Sequence, residues 1–216
     1  EHLPGILSDL SANAARIHEH GERADRIIRS MLGHSRGARG VAEEADLNAL
    51  LEQAHEEVLA QLDAGPPVEV TRDLAGLSRL EVYAEPIRQV FRNLLENAYF
   101  ALRARVAEAP AGYQPRLWLA TRQVGERVEV RVRDNGGGIP AEMLSEVFEP
   151  FFTTKAAGEG TGLGLSISFD IVTQVHLGEL LVESVPGEFT EFTILLPRDQ
   201  ASRATLREQI LKAPRA

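Results

Sequence analysis

The chain has 216 residues, 44% of them hydrophobic, with a formal charge of −9 and no cysteine. That length and apolar fraction suffice for one sizeable core with room for an extra element. The acidic balance argues against non-specific attachment to nucleic acid or an anionic membrane surface, and the missing cysteines exclude disulfides, cysteine-ligated zinc and thiol nucleophiles.

No apolar run approaches the ~20 residues that cross a bilayer, and the opening EHLPGILSDL lacks the parts of a signal peptide. The expectation is a cytoplasmic chain, or the soluble part of something longer that is itself anchored.

From the start, Leu10, Ala14, Ile17, Gly21, Ala24, Ile28 and Met31 recur at steps of three and four, with Glu19, Glu22, Arg23, Arg26 and Arg29 on the other face. This stripe over residues 6–35 predicts a long bundle helix that needs a partner, in this chain or in a second copy. GHSRGARGVAEEAD reads as a linker by composition. Asp46 then stands as N-cap to a helix reaching about Leu62, with Leu47, Leu50, Leu51, Ala54, Val58 and Leu62 at helical spacing. Val68–Leu74 and Leu80–Val82 predict short strands. Pro86 marks the start of a helix that IRQVFRNLLENAYFALRARV carries to about Ala107. RLWLATRQV and RVEVRVRD, joined by Gly125 and Glu126, predict a hairpin. Pro140 opens a short helix, AEMLSEVF, and a loop leads to GLGLSISFDIVTQV, which has helical length. GELLVESV and FTEFTILLP form a second hairpin about Pro186 and Gly187, and the tail from Asp199 is polar. Helices alternating with hairpins give an α+β class: a mostly antiparallel sheet with helices on one face.

Four stretches carry chemistry. GEGTGLGL, residues 158–165, precedes the last apolar helix. It is neither a Walker A loop nor a GxGxxG fingerprint, since Leu163 or Leu165 fills the third glycine position. Glycines ahead of a helix still let bare N–H groups and the helix dipole meet an anion, and from this segment alone a plain flexible turn accounts for them equally well. On the long helix Asn93 and Asn97 are four apart and share a face with Glu96 near by, while Val90, Phe91, Leu94, Leu95 and Ala98 form the core face. Such amides also occur on ordinary surfaces. DNGGGIP, residues 134–140, puts a carboxylate at a strand end before three glycines, where a planar base can approach closely or a turn can simply end the strand. EPFFTTK, residues 149–155, sets two aromatics and Lys155 ahead of the glycine loop.

Taken in order, Asn93-Leu-Leu-Glu96-Asn97-Ala98, Asp134-Asn-Gly-Gly-Gly138, Phe148-Glu-Pro-Phe151-Phe152-Thr-Thr-Lys155 and Gly160-Thr-Gly162-Leu-Gly164-Leu resemble the N, G1, F and G2 boxes of sensor histidine kinases. These kinases belong to the Bergerat-type ATP-binding superfamily shared with gyrases and heat-shock chaperones. The resemblance implies a Bergerat two-layer α/β sandwich over residues 46–198, a linker at 41–45 and a polar tail at 199–216. HGERADRIIRSMLGHSRG, within residues 1–40, resembles the second helix of the family's dimerisation and phosphotransfer hairpin.

The resemblance also implies a site. ATP lies between helices and sheet: Asp134 accepts the adenine amino group, and Gly136 and Gly138 leave room for the base. Asn97 ligates Mg²⁺ through its side-chain oxygen, a hard ligand for a hard ion, and Asn93 helps hold the ion or the phosphates. Residues 156–161 form the lid; Gly160, Thr161, Gly162, Leu163 and Gly164 wrap the triphosphate, and Thr190 lies in the family's final motif. Lys155 neutralises charge on the transferring phosphoryl group. Where the superfamily's hydrolases carry glutamate, this chain has Asn93, which favours transfer to a protein nucleophile, with Glu96 as candidate base. Three positions depart from the pattern. Phe100 stands where a basic residue is common, so that Lys155 or Arg103 serves or phosphate binding is weaker; His176-Leu177-Gly178 stands in place of a glycine pair; Phe189 replaces a glycine.

Histidines occur at 2, 18, 20, 34, 55 and 176, and none has the context of the family's phosphoacceptor box. His18, His20, His34 and His55 read as solvated helix residues. The expectation is therefore that the acceptor histidine sits on a helix missing from this chain, that the chain dimerises through residues 6–35, and that a response regulator receiver domain is the downstream partner. The alternatives are an ATPase or serine kinase on the same fold, or a nucleotide-sensing dimerisation scaffold.

Overall fold

The computed structural model describes residues 41–62, 65, 67–108, 112–155 and 160–198. The expected bundle helix over 6–35, most of the lid and the polar tail lie outside them.

A short strand β1 (Glu43–Ala45) leads into helix α1 (Leu47–Gln61). Asp46 caps α1: its Oδ1 accepts from the N–H groups of Asn48 at 2.9 Å and Ala49 at 3.2 Å, two of the four donors a helix start leaves open. Strands β2 (Glu69–Leu74) and β3 (Leu80–Val82) follow, then the long helix α2 (Ala84–Glu108). Pro86 falls in its first turn, where the missing N–H is not needed. Next come the hairpin β4 (Arg116–Val124) and β5 (Arg127–Asp134), helix α3 (Gly164–Asp170) and the hairpin β6 (Glu179–Val185) and β7 (Phe189–Pro197). Five strands form one mixed sheet in the order β2-β4-β5-β7-β6, parallel only between β2 and β4.

The strands alternate with period two, as a sheet with one covered face requires. Val128, Val130 and Val132 on β5, Leu117 and Leu119 on β4, and Phe192, Ile194 and Leu196 on β7 are buried under the helices. Arg131, Arg133 and Glu191 occupy the other face and pair with one another across the strands. The helices close the core with Leu47, Leu51, Ala54 and Val58 from α1 and Ile87, Val90, Phe91, Leu94, Leu95, Ala98 and Leu102 from α2. This alternation has a consequence for the site: the next inward position on β5 after Val132 is Asp134, opposite Thr190 on β7. A carboxylate thus stands where the pattern otherwise buries valine.

Four local expectations change. Residues 43–45 were expected as linker, yet they pair antiparallel with β3, Glu43 opposite Val82; two glutamates and an alanine carry no strand signal of their own, so the pairing is set by the partner. AEMLSEVF is not a helix. Only Ala141–Met143 forms a 3₁₀ turn, continued by isolated i→i+3 bonds, because Val147 alone is fully buried there and no apolar stripe anchors a regular helix. The last helix widens after Asp170 into a π segment, Ile171–Val175, with His176 N–H bonded to the Ile171 carbonyl at 3.2 Å. His55 is not solvated: it is 1% exposed, its Nε2 lies 2.7 Å from the Tyr99 hydroxyl, and burial with the neighbouring Arg72 pushes its pKa down.

Candidate functional site

One cleft gathers residues from every predicted stretch. Its larger lobe, about 340 Å³, is lined by Asn93, Glu96 and Asn97 of α2, by Thr153 to Lys155, and by Gly160, Thr161, Gly162 and Gly164 ahead of α3. A second lobe of about 250 Å³ reaches Asp134 and Thr190. Asn97, Gly138, Ile139, Thr154, Lys155 and Leu165 line both. Each lobe alone is close to the lower bound of small-molecule sites, and together they suit an elongated ligand.

At the inner end, Asp134 is 3% exposed, and its Oδ1 accepts from the Gly136 N–H at 2.8 Å. Burial pushes its pKa up to about 7; the Gly136 bond and the charge of Arg133 only partly offset this. The turn beyond it is held by residues the sequence did not single out. Asn135 Oδ1 accepts from Arg116 N–H at 2.7 Å, its Nδ2 donates to the Gln114 carbonyl, and the Tyr113 hydroxyl donates to the Asn135 carbonyl. A Cβ on Gly136 would lie 2.8 Å from the Ala101 side chain, so α2 and this turn touch only because the residue is glycine. Thr190, 4% exposed, is tied to Ser184 at 3.2 Å, and Ser184 in turn receives the Ile139 N–H at 2.7 Å.

At the middle, the Lys155 ammonium donates to Asn97 Oδ1 at 3.1 Å and sits 4.3 Å above the Phe100 ring. Position 100, where the family often has a basic residue, holds an aromatic here. Lys155 arrives from the loop and stacks on the aromatic that replaced it. Arg103 points elsewhere, lining a separate cavity with His55 and Tyr99.

At the outer end, Asn93 Nδ2 donates to the Gly164 carbonyl at 2.9 Å and to Ser168 Oγ at 3.0 Å. With Nδ2 turned to α3, Oδ1 is the group Asn93 offers the cleft it lines. Glu96 is exposed on the same wall. Thr161 Oγ1 accepts from the Leu163 N–H at 3.3 Å, which fixes the turn into α3. The strand-like approach of the two loops is tight: Phe151 N–H bonds the Gly162 carbonyl at 2.8 Å, and Phe151 itself has φ 69°. Gly162 has φ 67°, and a Cβ there would come within 2.4 Å of the Phe151 carbonyl carbon. Gly162→Ala should therefore destabilise the fold by more than about 1 kcal/mol, whereas Gly137→Ala, with nothing within 4 Å of the added Cβ, should change stability by less than about 0.5 kcal/mol. Urea unfolding of both variants checks this, and equal losses would mean the contact with Phe151 is not what selects glycine.

The remaining departures are absorbed locally. Leu177, in place of a glycine, takes φ 55°. Phe189 keeps its place in β7, with Arg133 stacked 3.8 Å above its ring, so Thr190 stays in register with Asp134.

A family model described as "Histidine kinase-, DNA gyrase B-, and HSP90-like ATPase" matches residues 83–200, which hold every one of these site residues. The chain belongs to this ATPase family. Within it, relatives and fold agree on the sensor histidine kinase branch. Sensor kinase CckA of Brucella abortus is 34% identical over 91% of this chain and 22% of its own length. Sensor histidine kinase ZraS of Klebsiella oxytoca is 33% identical over 82% of this chain and 36% of its own. The catalytic domain of histidine kinase ThkA superposes with a TM-score of 0.61 at 28% identity, covering 75% of this chain and 99% of that one. The described region is thus an ATP-binding catalytic domain of the sensor histidine kinase kind, and the chain spans about a fifth to a third of the length of these curated relatives.

Proposed function

We propose that this chain transfers the γ-phosphoryl group of magnesium ATP to a histidine on a separately supplied acceptor helix, from which a response regulator receiver domain takes it. Asp134 receives the adenine amino group at the inner end, and Gly136 and Gly138 admit the base. Thr190 supports that wall. The triphosphate runs outward past Lys155 to the turn of Gly160, Thr161, Gly162, Leu163 and Gly164.

The donor set fits a magnesium ion. Among the described residues no group of three or more acidic or histidine side chains could hold a metal by itself, and magnesium commonly shares few protein ligands with substrate phosphates. Asn97 Oδ1 already attracts a cation, the Lys155 ammonium, and Asn93 offers an oxygen on the same helix face. Magnesium held at Asn97 would neutralise phosphate charge; Asn93 would present its oxygen to the ion or to ion-bound water.

One observation carries transfer over hydrolysis. Asn93 stands where a water-activating carboxylate would be needed, its nitrogen is turned to α3, and a neutral amide is not basic enough to take a proton from water. Glu96, exposed on the cleft wall, is the group able to accept the proton of an incoming imidazole. Glu96→Gln should slow phosphotransfer by about 10²-fold while ATP affinity stays nearly constant. Calorimetry beside labelled-ATP transfer to a supplied acceptor helix measures both; a loss of affinity equal to the loss of rate would contradict the role. Rapid steady-state hydrolysis without acceptor would favour an ATPase instead.

Dimerisation through residues 6–35 belongs to the same proposal, as does work on the cytoplasmic side of a membrane. No helix among the described residues is long and apolar enough to cross one.

A further inference from the structure

We propose that Ser168, which lies outside the nucleotide motifs, is a positioning residue that locks the Asn93 amide with its oxygen toward the magnesium side of the cleft. The inference rests on the functional reading above. Ser168 is fully buried in α3, one turn after Gly164, and does not line the cleft. Its single hydroxyl proton is committed: Oγ donates to the Gly164 carbonyl at 2.8 Å. That leaves Oγ only its acceptor role toward Asn93, 3.0 Å away. The Gly164 carbonyl, 2.9 Å from the same amide, can also only accept.

Two acceptors therefore face the Asn93 Nδ2 from the same side. A flipped amide would set its oxygen against a carbonyl and against a hydroxyl whose proton points away, with two buried acceptors left opposed. Asparagine's terminal torsion is otherwise broad, so the pair of bonds supplies an orientation that the side chain lacks intrinsically. The consequence is chemical. With Nδ2 held against α3, the group Asn93 turns away from that helix is its oxygen, suited to a cation. Ser168 acts on the nucleotide only through that amide, in the way outer groups orient metal ligands.

The test is a double-mutant cycle on the full chain, with the β,γ-imido analogue of ATP titrated by calorimetry in magnesium and in EDTA. Ser168→Ala should weaken binding about five- to tenfold in magnesium, leave binding in EDTA essentially unchanged, and add nothing in an Asn93→Ala background. Equal weakening with and without magnesium, an undiminished effect in the Asn93→Ala background, or no effect at all would overturn the assignment. Should Ser168→Ala not fold, the wild-type chain decides by NMR: at least one Asn93 side-chain amide proton should be protected from exchange, and fast exchange of both overturns it. A wild-type chain that binds the analogue in neither condition defeats the functional reading itself; binding that is indifferent to Ser168 defeats this inference alone.

Discussion

Asp134→Asn should weaken ATP binding by at least about 100-fold and, above pH 7, make the unliganded protein more stable than the parent. Both effects come from one buried carboxylate. An asparagine nitrogen turned toward the adenine amino group would set donor against donor, whereas the carboxylate can only accept. The stability side follows from the raised pKa. Unfolded, Asp134 loses its proton near 3.8; folded, it holds the proton to about 7. Between those values the folded state binds more protons than the unfolded one, so stability is greatest below the lower value and falls as pH rises to the upper. Asparagine carries no charge to bury and removes that decline. Nucleotide affinity runs the other way. If Asp134 meets the adenine amino group as proposed, the ionised form accepts it best, so affinity should rise with pH through about 7 and stay flat in Asp134→Asn. Urea unfolding and calorimetry between pH 5 and 8.5 (both extremes about two units from the midpoint at most) read the two slopes. Slopes of the same sign would show that Asp134 is not the group in question.

The opposed slopes illustrate why the sequence exposes this site better than it exposes the surrounding packing. RVEVRVRD reads by simple alternation as a strand with an inward face, and its last inward residue is polar. That is a violation visible from the letters alone, and such violations gather at functional positions. The face of α2 bearing Asn93 and Asn97 is legible for the same reason, because Val90, Phe91, Leu94, Leu95 and Ala98 fix which side is core. Other features depend on groups far apart in the chain. Nothing in GLSISFD marks Ser168, since a serine in a helix is ordinary until its hydroxyl is found against Asn93, 75 positions away. His55 looks like helix surface until Tyr99 and Arg72 close over it. His176, 1% exposed, accepts from the Tyr83 N–H at 3.1 Å and bonds the Ile171 carbonyl, joining the π segment to the start of α2. Composition hides β1 for the opposite reason: Glu43–Ala45 has no strand character, and only Leu80–Val82 beside it makes it one.

Lys155→Met should reduce phosphotransfer by about 10²–10³-fold without weakening magnesium-ATP binding. The ammonium donates to Asn97 Oδ1 at 3.1 Å, the oxygen proposed above for the ion. Two cations cannot share that oxygen at contact distance, so a magnesium nucleotide must displace Lys155 from it. The ground state thus loses one Lys155 contact on binding as it gains another on phosphate, and the net contribution to affinity is small. On the proposed reading the balance would shift in the transition state: the released ammonium would stand beside the transferring group, where charge spreads over the equatorial oxygens. An interaction made chiefly there changes the rate and leaves binding alone. Phe100, 4.3 Å beneath the ammonium, keeps Lys155 near the cleft when it leaves Asn97, so Phe100→Ala should cost part of the rate while Lys155 itself remains. Calorimetry and single-turnover transfer to a supplied acceptor helix separate the two quantities. If Lys155→Met weakens magnesium-ATP binding as much as it slows transfer, the lysine is a ground-state phosphate ligand, and its contact with Asn97 plays no part in catalysis.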